Sequence, residues 1–161
     1  MSLKDWLAHF KAQHDHARAG DLPPDGWAAY RAGREELARA LLAAQRASLR
    51  PGETPRQALR VARALQADLE WTTDKVRAVT LDISTGGFAV LLAKAPPAAE
   101  EVKVQLRIPG GEQLAAQARV AGAQAQATAV RVAFAFQRIS EADREKLEFL
   151  VFDTVLAQLS V

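Results

Sequence analysis

The strongest constraint on the fold is a change in the spacing of apolar residues beside a proline- and glycine-rich segment. Residues 50–55 contain two prolines and one glycine, and such clusters interrupt regular secondary structure. Before this segment apolar residues recur every three or four positions, which is typical of helices. After it they alternate, which is typical of strands. The sequence therefore predicts a helical part at residues 1–50, a linker at 51–55 and a mostly β part at 56–161.

The helical part is predicted to be a hairpin of two helices. The apolar face of the first helix consists of Leu3, Trp6, Leu7 and Phe10. Residues 21–26 contain consecutive prolines, which cannot continue a helix. The second helix is expected from about Trp27 to Ser48, with apolar positions at Trp27, Tyr30, Leu37, Leu41 and Leu42. Because so short a hairpin buries little surface, we expect it to pack on the rest of the chain or on another copy.

The β part is predicted to contain six strands followed by a helix. In the first strand, apolar residues alternate with polar ones at Leu65, Ala67, Leu69 and Trp71. The other strands are predicted at Val76–Leu81, Gly87–Leu92, Val102–Ile108, Leu114–Val120 and Val130–Phe136. The helix begins near Ser140, where the sequence resembles a capping box. Six short strands with turn residues between them predict an antiparallel barrel or sandwich.

Charge and composition exclude several classes of protein. The net charge of this 161-residue chain is only +2, which argues against a general polyanion binder. The absence of cysteine excludes disulfides, thiolate zinc sites and a cysteine nucleophile. Residues 1–6 lack the apolar core of a secretory signal, and no apolar run reaches the ~18 residues that a transmembrane helix needs. We therefore expect a cytoplasmic protein that does not insert into membranes.

The residues with a chemical signature are Asp82, Ser84 and Gly87, preceded in the sequence by Arg56 and Arg60. A carboxylate can accept hydrogen bonds from the two adjacent N–H donors of guanine, and a serine hydroxyl can donate to a phosphate or a base. Glycine allows the backbone to approach a planar ligand closely. Arginine offers a planar fork that matches phosphate oxygens or a guanine edge. Together these residue types suit a guanine nucleotide.

The same residues also have a purely structural interpretation. Asp, Ser and Gly are common in β-turns, and arginines in a linker are commonly solvated. Order and spacing favour the ligand hypothesis, because Arg60 and Asp82 are 22 residues apart. That distance corresponds to one strand, a turn and a second strand. In an antiparallel pair it places Asp82 beside the start of the first strand, where Arg60 can reach the same ligand.

On these residues the β part resembles the PilZ domain family over about residues 55–159. Members of this family have a six-stranded β-barrel, an N-terminal Arg-x-x-x-Arg loop, an Asp/Asn-x-Ser-x-x-Gly motif after the second strand and a C-terminal helix. Most are bacterial receptors for cyclic di-GMP. The resemblance implies that Arg56 and Arg60 bind phosphates and guanine edges from a loop folded over the ligand. It also implies that Asp82 and Ser84, with Gly87 completing the motif, hold a guanine on the barrel surface.

One departure from the family pattern concerns the number of ligands. Many members carry a further arginine directly before the arginine pair, whereas this chain has Pro55 there. The missing cation disfavours a stacked ligand dimer, so the resemblance implies a single nucleotide in the site.

No catalytic or metal-binding set is recognisable. The histidines, His9, His14 and His16, lie in the first predicted helix, far in sequence from Ser84, and we interpret them as solvent-exposed. No Walker loop and no paired catalytic carboxylates are present. We therefore expect a protein that is not an enzyme, has no metal or cofactor, and takes cyclic di-GMP as its ligand.

The leading functional hypothesis is a cyclic di-GMP receptor in which the nucleotide orders the Arg56–Arg60 loop and changes the protein contacts of the hairpin. The alternative is a nucleotide-independent interaction or oligomerisation module, suggested by the Ala- and Leu-rich face of residues 37–44. An RNA-binding barrel is disfavoured, because residues 64–161 carry ten Lys and Arg against twelve Asp and Glu. We expect neither DNA nor RNA as a partner.

Overall fold

Two compact units are described by the structure, a computed structural model that covers residues 2–47 and 59–159. The first unit comprises the described residues of Met1–Leu59 together with those of Val155–Val161. The second unit is Arg60–Thr154. The predicted linker at 51–55 and the first arginine of the motif, Arg56, lie outside the described residues.

The first unit contains the predicted helical hairpin, made of α1 (Leu3–Ala19) and α2 (Pro24–Ala47). Ser2 caps α1 by accepting a hydrogen bond from the Asp5 N–H at 3.1 Å. Gly20 ends α1 in the left-handed conformation, with φ of 77°. Helix α2 begins three residues earlier than predicted, at Pro24. Proline cannot continue a helix, but it suits the first helical position, where no backbone N–H is needed.

Aromatic and polar side chains pack between the two helices of the hairpin. The residues buried in the two helices have the same spacing of four and then three, and they are Phe10, His14 and Ala17 in α1 and Tyr30, Arg34 and Leu37 in α2. Phe10 stacks on Tyr30 with ring centroids 5.6 Å apart. The Tyr30 hydroxyl and His14 Nδ1 are joined by a hydrogen bond of 2.6 Å. The hairpin is therefore held together by a buried polar contact as well as by apolar packing.

Two expectations for α1 were wrong. Leu3 was assigned to the buried face but is 73% exposed; the buried residues of α1 begin at Phe10. His14 was interpreted as solvent-exposed but is 2% exposed. Its position four residues after Phe10 and three before Ala17 places it on the buried stripe. Burial and the nearby positive charge of Arg18 lower the pKa of His14 from 6.5 to about 4, so the imidazole is neutral at pH 7.

The second unit contains the six-stranded antiparallel β-barrel that the sequence predicted and the part of the following helix up to Thr154. The elements of the β part are β1 (Gln66–Trp71), β2 (Asp74–Ser84), β3 (Gly87–Leu92), β4 (Val102–Arg107), β5 (Gln113–Ala125), β6 (Val130–Ile139) and α3 (Glu141–Gln158). The barrel closes in the order β1-β2-β3-β6-β5-β4, and all neighbouring strands are antiparallel. The first helical residues of α3 follow Ser140, whose hydroxyl accepts a hydrogen bond from the Asp143 N–H at 3.1 Å.

The alternating pattern separates the interior of the barrel from its outer wall. The four apolar residues predicted to point inward from the first strand are all buried, namely Leu65, Ala67, Leu69 and Trp71. Charged residues of β1 and β2 face outward, as in the ion pair between Asp68 of β1 and Arg77 of β2 at 3.0 Å. Several strands are longer than predicted; β2 extends to Ser84 and β5 to Ala125. The turn motif therefore begins inside a strand rather than after it.

Candidate functional site

A β-bulge in β2 sets the position of Asp82. The pairing of β2 with β3 shifts register between Thr80 and Asp82, so that Asp82 lies opposite Ala89. A bulge interrupts the strict alternation of a strand and re-aims a side chain. The Asp82 side chain is 16% exposed, which leaves part of the carboxylate group accessible on the barrel wall.

Arg60 lies beside Asp82, as the spacing in the sequence predicted. The backbone of Val61 pairs with Ile83 through two N–H to carbonyl hydrogen bonds of 2.9 Å. This bridge fixes the chain next to β2, and Arg60 Nη1 comes within 3.5 Å of Asp82 Oδ1. The Arg60 side chain is 32% exposed. The expected proximity is therefore confirmed, while the role of either residue in ligand binding stays a prediction.

A second arginine, Arg131, contacts the same carboxylate. Its Nη2 donates a hydrogen bond to Asp82 Oδ2 at 2.8 Å. Arg131 belongs to β6, where it lies opposite Leu91 of β3, so the contact crosses one strand of the barrel. Sequence reasoning missed Arg131 because it is 49 residues from Asp82. The alternation of β6 marks Arg131 as outward-facing, but only the pairing of β6 with β3 brings it to Asp82.

Ser84 shapes the turn between β2 and β3. Its hydroxyl oxygen accepts hydrogen bonds from the backbone N–H groups of Gly86 and Gly87, each at 3.1 Å. The hydroxyl also donates to the Gly87 carbonyl at 3.3 Å. Ser84 is buried. These contacts match the structural interpretation of Ser84 as a turn residue, and a contact between Ser84 and a ligand remains a prediction.

Gly87 is required by a close approach between two strands rather than by an unusual φ. It lies in β3 opposite Ala135 of β6. A Cβ atom at this position would overlap the backbone carbonyl oxygen of Phe134. Glycine therefore allows β3 to pack against β6 directly after the turn, which places Asp82 and Arg131 on adjoining parts of the outer wall.

The charges of this cluster, which we define as Arg60, Asp82 and Arg131, sum to +1. Asp82 Oδ1 is buried, and within residues 2–47 and 59–159 it accepts no hydrogen bond; Arg60 approaches it only at ion-pair distance. A buried acceptor without a hydrogen-bond donor is energetically unfavourable. Oδ2 therefore already accepts a hydrogen bond, whereas Oδ1 is covered in this arrangement and accepts none from the described residues, so a ligand donor could reach it only if Arg60 moved away.

Exposed apolar side chains lie near the charge cluster. Leu81, which precedes Asp82, is 39% exposed, and Leu91, which lies opposite Arg131, is 43% exposed. Val79 of β2 is also exposed. The outer wall formed by β2, β3 and β6 thus combines a net positive charge, an acceptor for hydrogen bonds and apolar surface.

A groove of about 720 Å³ lies elsewhere on the barrel unit. Its lining includes Lys103, Gln117, Arg138 and Arg144 from β4, β5, β6 and the start of α3. The described residues of the proposed ligand site, Arg60, Asp82, Ser84 and Gly87, do not line this groove, and neither does Arg131. This groove is therefore separate from the charge cluster, and we place the candidate site at the cluster because it contains the chemically distinctive residues.

Metal-ligand groups and membrane-spanning helices were both sought among the described residues. Residues 2–47 and 59–159 contain no group of three or more His, Asp or Glu side chains arranged to hold a metal ion. The helices within these ranges are too short or too polar to span a membrane.

The family to which the chain belongs follows from its sequence. The PilZ domain model matches residues 54–153, which is more than half of the chain. The chain therefore belongs to the PilZ domain family, as the resemblance noted above implied. No curated protein sequence matches it, and the comparisons indicate no enzyme family.

Solved structures with the same fold include proteins from three bacteria. The Bacillus subtilis inhibitor of motility, MotI/DgrA, is 20% identical, with a TM-score of 0.58 over 66% of this chain and 53% of its own. The PilZ domain of YcgR from Escherichia coli, solved with c-di-GMP, is 17% identical, with a TM-score of 0.54 over 65% of this chain and 95% of its own. The MrkH–c-di-GMP complex of K. pneumoniae is 15% identical, with a TM-score of 0.56 over 66% of this chain and 55% of its own.

The aligned region covers different shares of the three solved structures. The aligned region spans about half the length of MotI/DgrA and of MrkH, but nearly all of the isolated YcgR domain. At these identities the comparison shows a common barrel fold.

Proposed function

We propose that the protein is a receptor for cyclic di-GMP and that the ligand binds on the outer wall formed by β2, β3 and β6. The observation that carries this proposal is the meeting of Arg60 and Asp82 at 3.5 Å beside the turn of the family motif. Two structural neighbours, YcgR and MrkH, were solved with c-di-GMP, and the chain shares their fold.

In this proposal the Asp82 carboxylate accepts hydrogen bonds from the N1–H and amino group of a guanine. Arg60 turns from Asp82 toward a phosphate, where a guanidinium forms a charge-assisted and often bidentate contact. The exposed side chains of Leu81 and Leu91 offer apolar surface to the face of the base. A cluster charge of +1 suits an anionic ligand, and Arg56 would add a further cation.

The output is proposed to be a change in protein contacts. Arg56 and Arg60 belong to the segment that joins the helical hairpin to the barrel, so ordering this segment on the nucleotide would alter the surface that the hairpin presents. We propose that the hairpin acts as a separate interaction unit, that the protein works in the cytoplasm, and that Pro55 limits the site to one nucleotide.

Whether DNA is a partner is open to experiment. The sequence predicts no nucleic-acid partner, whereas one structural neighbour, MrkH, is described as a c-di-GMP-dependent transcription regulatory factor. A gel-shift assay with and without cyclic di-GMP would test the prediction for this chain.

A nucleotide-independent module is the second candidate, and the geometry of Ser84 favours it. The Ser84 hydroxyl bonds the backbone of its own turn, which a purely structural turn would also require. Light scattering coupled to size-exclusion chromatography separates the two functions. Assembly that does not change with nucleotide, together with no detectable binding, would favour the module.

The first prediction is that Arg60→Ala weakens the binding of cyclic di-GMP by at least about tenfold, because an arginine–phosphate contact is lost. Isothermal titration of the purified chain provides the measurement, with GTP as the ligand control. Arg77→Ala is the matched control variant, since Arg77 also pairs with an aspartate on the barrel wall. A dissociation constant within twofold of wild type for Arg60→Ala would show that the site is assigned wrongly.

A further inference from the structure

We propose that Arg131 is a positioning residue of the nucleotide site, which holds the Asp82 carboxylate so that its other oxygen can accept a guanine donor. This inference rests on the proposed function. Arg131 is outside both sequence motifs, and its guanidinium donates the 2.8 Å hydrogen bond to Asp82 Oδ2.

The fold makes the contact between Arg131 and Asp82 specific. Asp82 lies opposite Ala89 of β3, and Arg131 lies opposite Leu91 of the same strand. Ala89 has no side-chain atoms beyond Cβ, which leaves room for the guanidinium to reach Asp82 across β3. The bulge at Asp82 completes the approach by departing from the regular register.

The two arginines contact different oxygens at different distances. Arg131 forms a hydrogen bond to Oδ2, whereas Arg60 reaches Oδ1 only at 3.5 Å. Both arginine side chains are about one third exposed, at 33% and 32%, so solvent screening affects them equally. The shorter contact therefore identifies Arg131 as the residue that fixes the carboxylate, and Arg60 as the one that can be released.

With these two roles, Asp82 can bind a ligand without losing all of its charge pairing. If Arg60 turned to a phosphate and Asp82 had no second cation, a partly buried carboxylate would be left unpaired, which is unfavourable. Arg131 retains the charge pairing throughout. It also fixes the carboxylate plane, so that Oδ1 keeps one orientation toward the guanine N–H donors, and a preorganised acceptor binds more tightly than a mobile one.

The test is a double-mutant cycle in the full chain, read by titration with cyclic di-GMP. The proteins are wild type, Arg131→Ala, Asp82→Asn and the double variant, with Arg77→Ala as the control for loss of a barrel arginine. We expect Arg131→Ala to weaken binding by about tenfold in the wild-type background and by less than about twofold in the Asp82→Asn background. Arg131→Lys should restore part of the affinity, because it keeps the charge but not the fork.

A second readout separates positioning from general stabilisation of the fold. If Arg131 aims Asp82 at guanine, Arg131→Ala should also reduce the preference for cyclic di-GMP over cyclic di-AMP. A merely structural role would lower the affinity for both nucleotides in proportion. Circular dichroism shows which variants are folded. If Arg131→Ala does not fold, the same comparison is made with Arg131→Lys.

The outcomes distinguish this inference from the proposed function. No binding of cyclic di-GMP by the wild type overturns both. Wild-type binding with an Arg131→Ala affinity within twofold, or with an equal loss in both backgrounds of the cycle, overturns the role of Arg131 and leaves the receptor proposal standing.

Discussion

The hairpin buries two basic side chains, whereas the charge cluster of the barrel lies on its outer wall. Among the described residues, the buried basic side chains are His14 and Arg34, and both belong to the hairpin. In the barrel, Arg60, Asp82 and Arg131 lie on the outer wall and remain partly exposed. The polar groups of the hairpin therefore stabilise helix packing, whereas those of the barrel remain accessible to a ligand.

This difference separates residues that maintain the fold from residues that are available for binding. Tyr30 bonds His14, and the Arg34 guanidinium lies 5.3 Å from the Tyr30 ring centroid, so these three residues, which we call the hairpin cluster, contact one another. In the barrel, Asp82 keeps one oxygen without a hydrogen bond from any described residue. Substitutions in the hairpin cluster should change stability, and substitutions in the barrel cluster should change affinity.

Substitution of Gly87 should have the largest effect on stability. This residue belongs to the predicted ligand motif and also allows β3 to approach β6 closely. Gly87→Ala adds a Cβ that overlaps the Phe134 carbonyl, so the free energy of unfolding should fall by about 3–5 kcal/mol. Urea denaturation measures this change. Gly122→Ala is the control, because a Cβ there meets no atom within 4 Å, and it should change stability by less than about 0.5 kcal/mol. Equal effects of the two substitutions would contradict the close approach of β3 and β6.

His14 should make stability depend on pH. Its pKa is about 4 in the folded chain against an ordinary 6.5, so the unfolded chain binds the proton more readily. The contribution of neutral His14 to the free energy of unfolding is fully present above pH 6.5 and is lost as the pH falls toward 4. The total loss is about 3 kcal/mol. Denaturation at pH 7, 5.5 and 4, followed by tryptophan fluorescence, measures the slope.

Variants of the histidines on α1 test the assignment of this slope. His14→Gln should flatten the dependence on pH between 7 and 4. His9→Gln is the matched control, because His9 is an exposed residue of the same helix, and it should retain the dependence. A slope that survives in His14→Gln would show that another group causes it.

Tyr30 should show the smallest of these effects. Tyr30→Phe keeps the ring that stacks on Phe10 but removes the hydrogen bond to His14. The free energy of unfolding should fall by about 1–2 kcal/mol, with no change in the affinity for cyclic di-GMP. Thermal denaturation and titration on the same protein measure both quantities. A loss of affinity at unchanged stability would contradict the separation of the two regions.

The barrel could be predicted from the sequence because its signal is local. Alternation in Leu65, Ala67, Leu69 and Trp71 depends only on the period of a strand, and each of these residues is buried as expected. Strand ends were less certain, because β2 and β5 continue through bulges that local patterns do not reveal. The hairpin was correctly predicted as two helices. The burial of His14 was not predicted, because a polar residue is normally expected on the exposed face of a helix.

The candidate site was only partly predictable for the same reason. Arg60 and Asp82 are separated by one hairpin of strands, so their proximity followed from spacing. Arg131 reaches Asp82 only because β6 pairs with β3, and that choice of neighbours follows from closing the barrel. No pattern within β6 specifies it.

The most direct test of the central claim is a titration of the isotopically labelled chain with cyclic di-GMP, followed by amide NMR shifts. The account predicts saturable shift changes at Arg60, Asp82, the turn of Ser84–Gly87 and Arg131. It predicts small changes at Lys103 and Gln117, which line the groove on the other wall. Shift changes centred on that groove, or no changes at ligand concentrations that saturate known receptors, would contradict the assignment of the site.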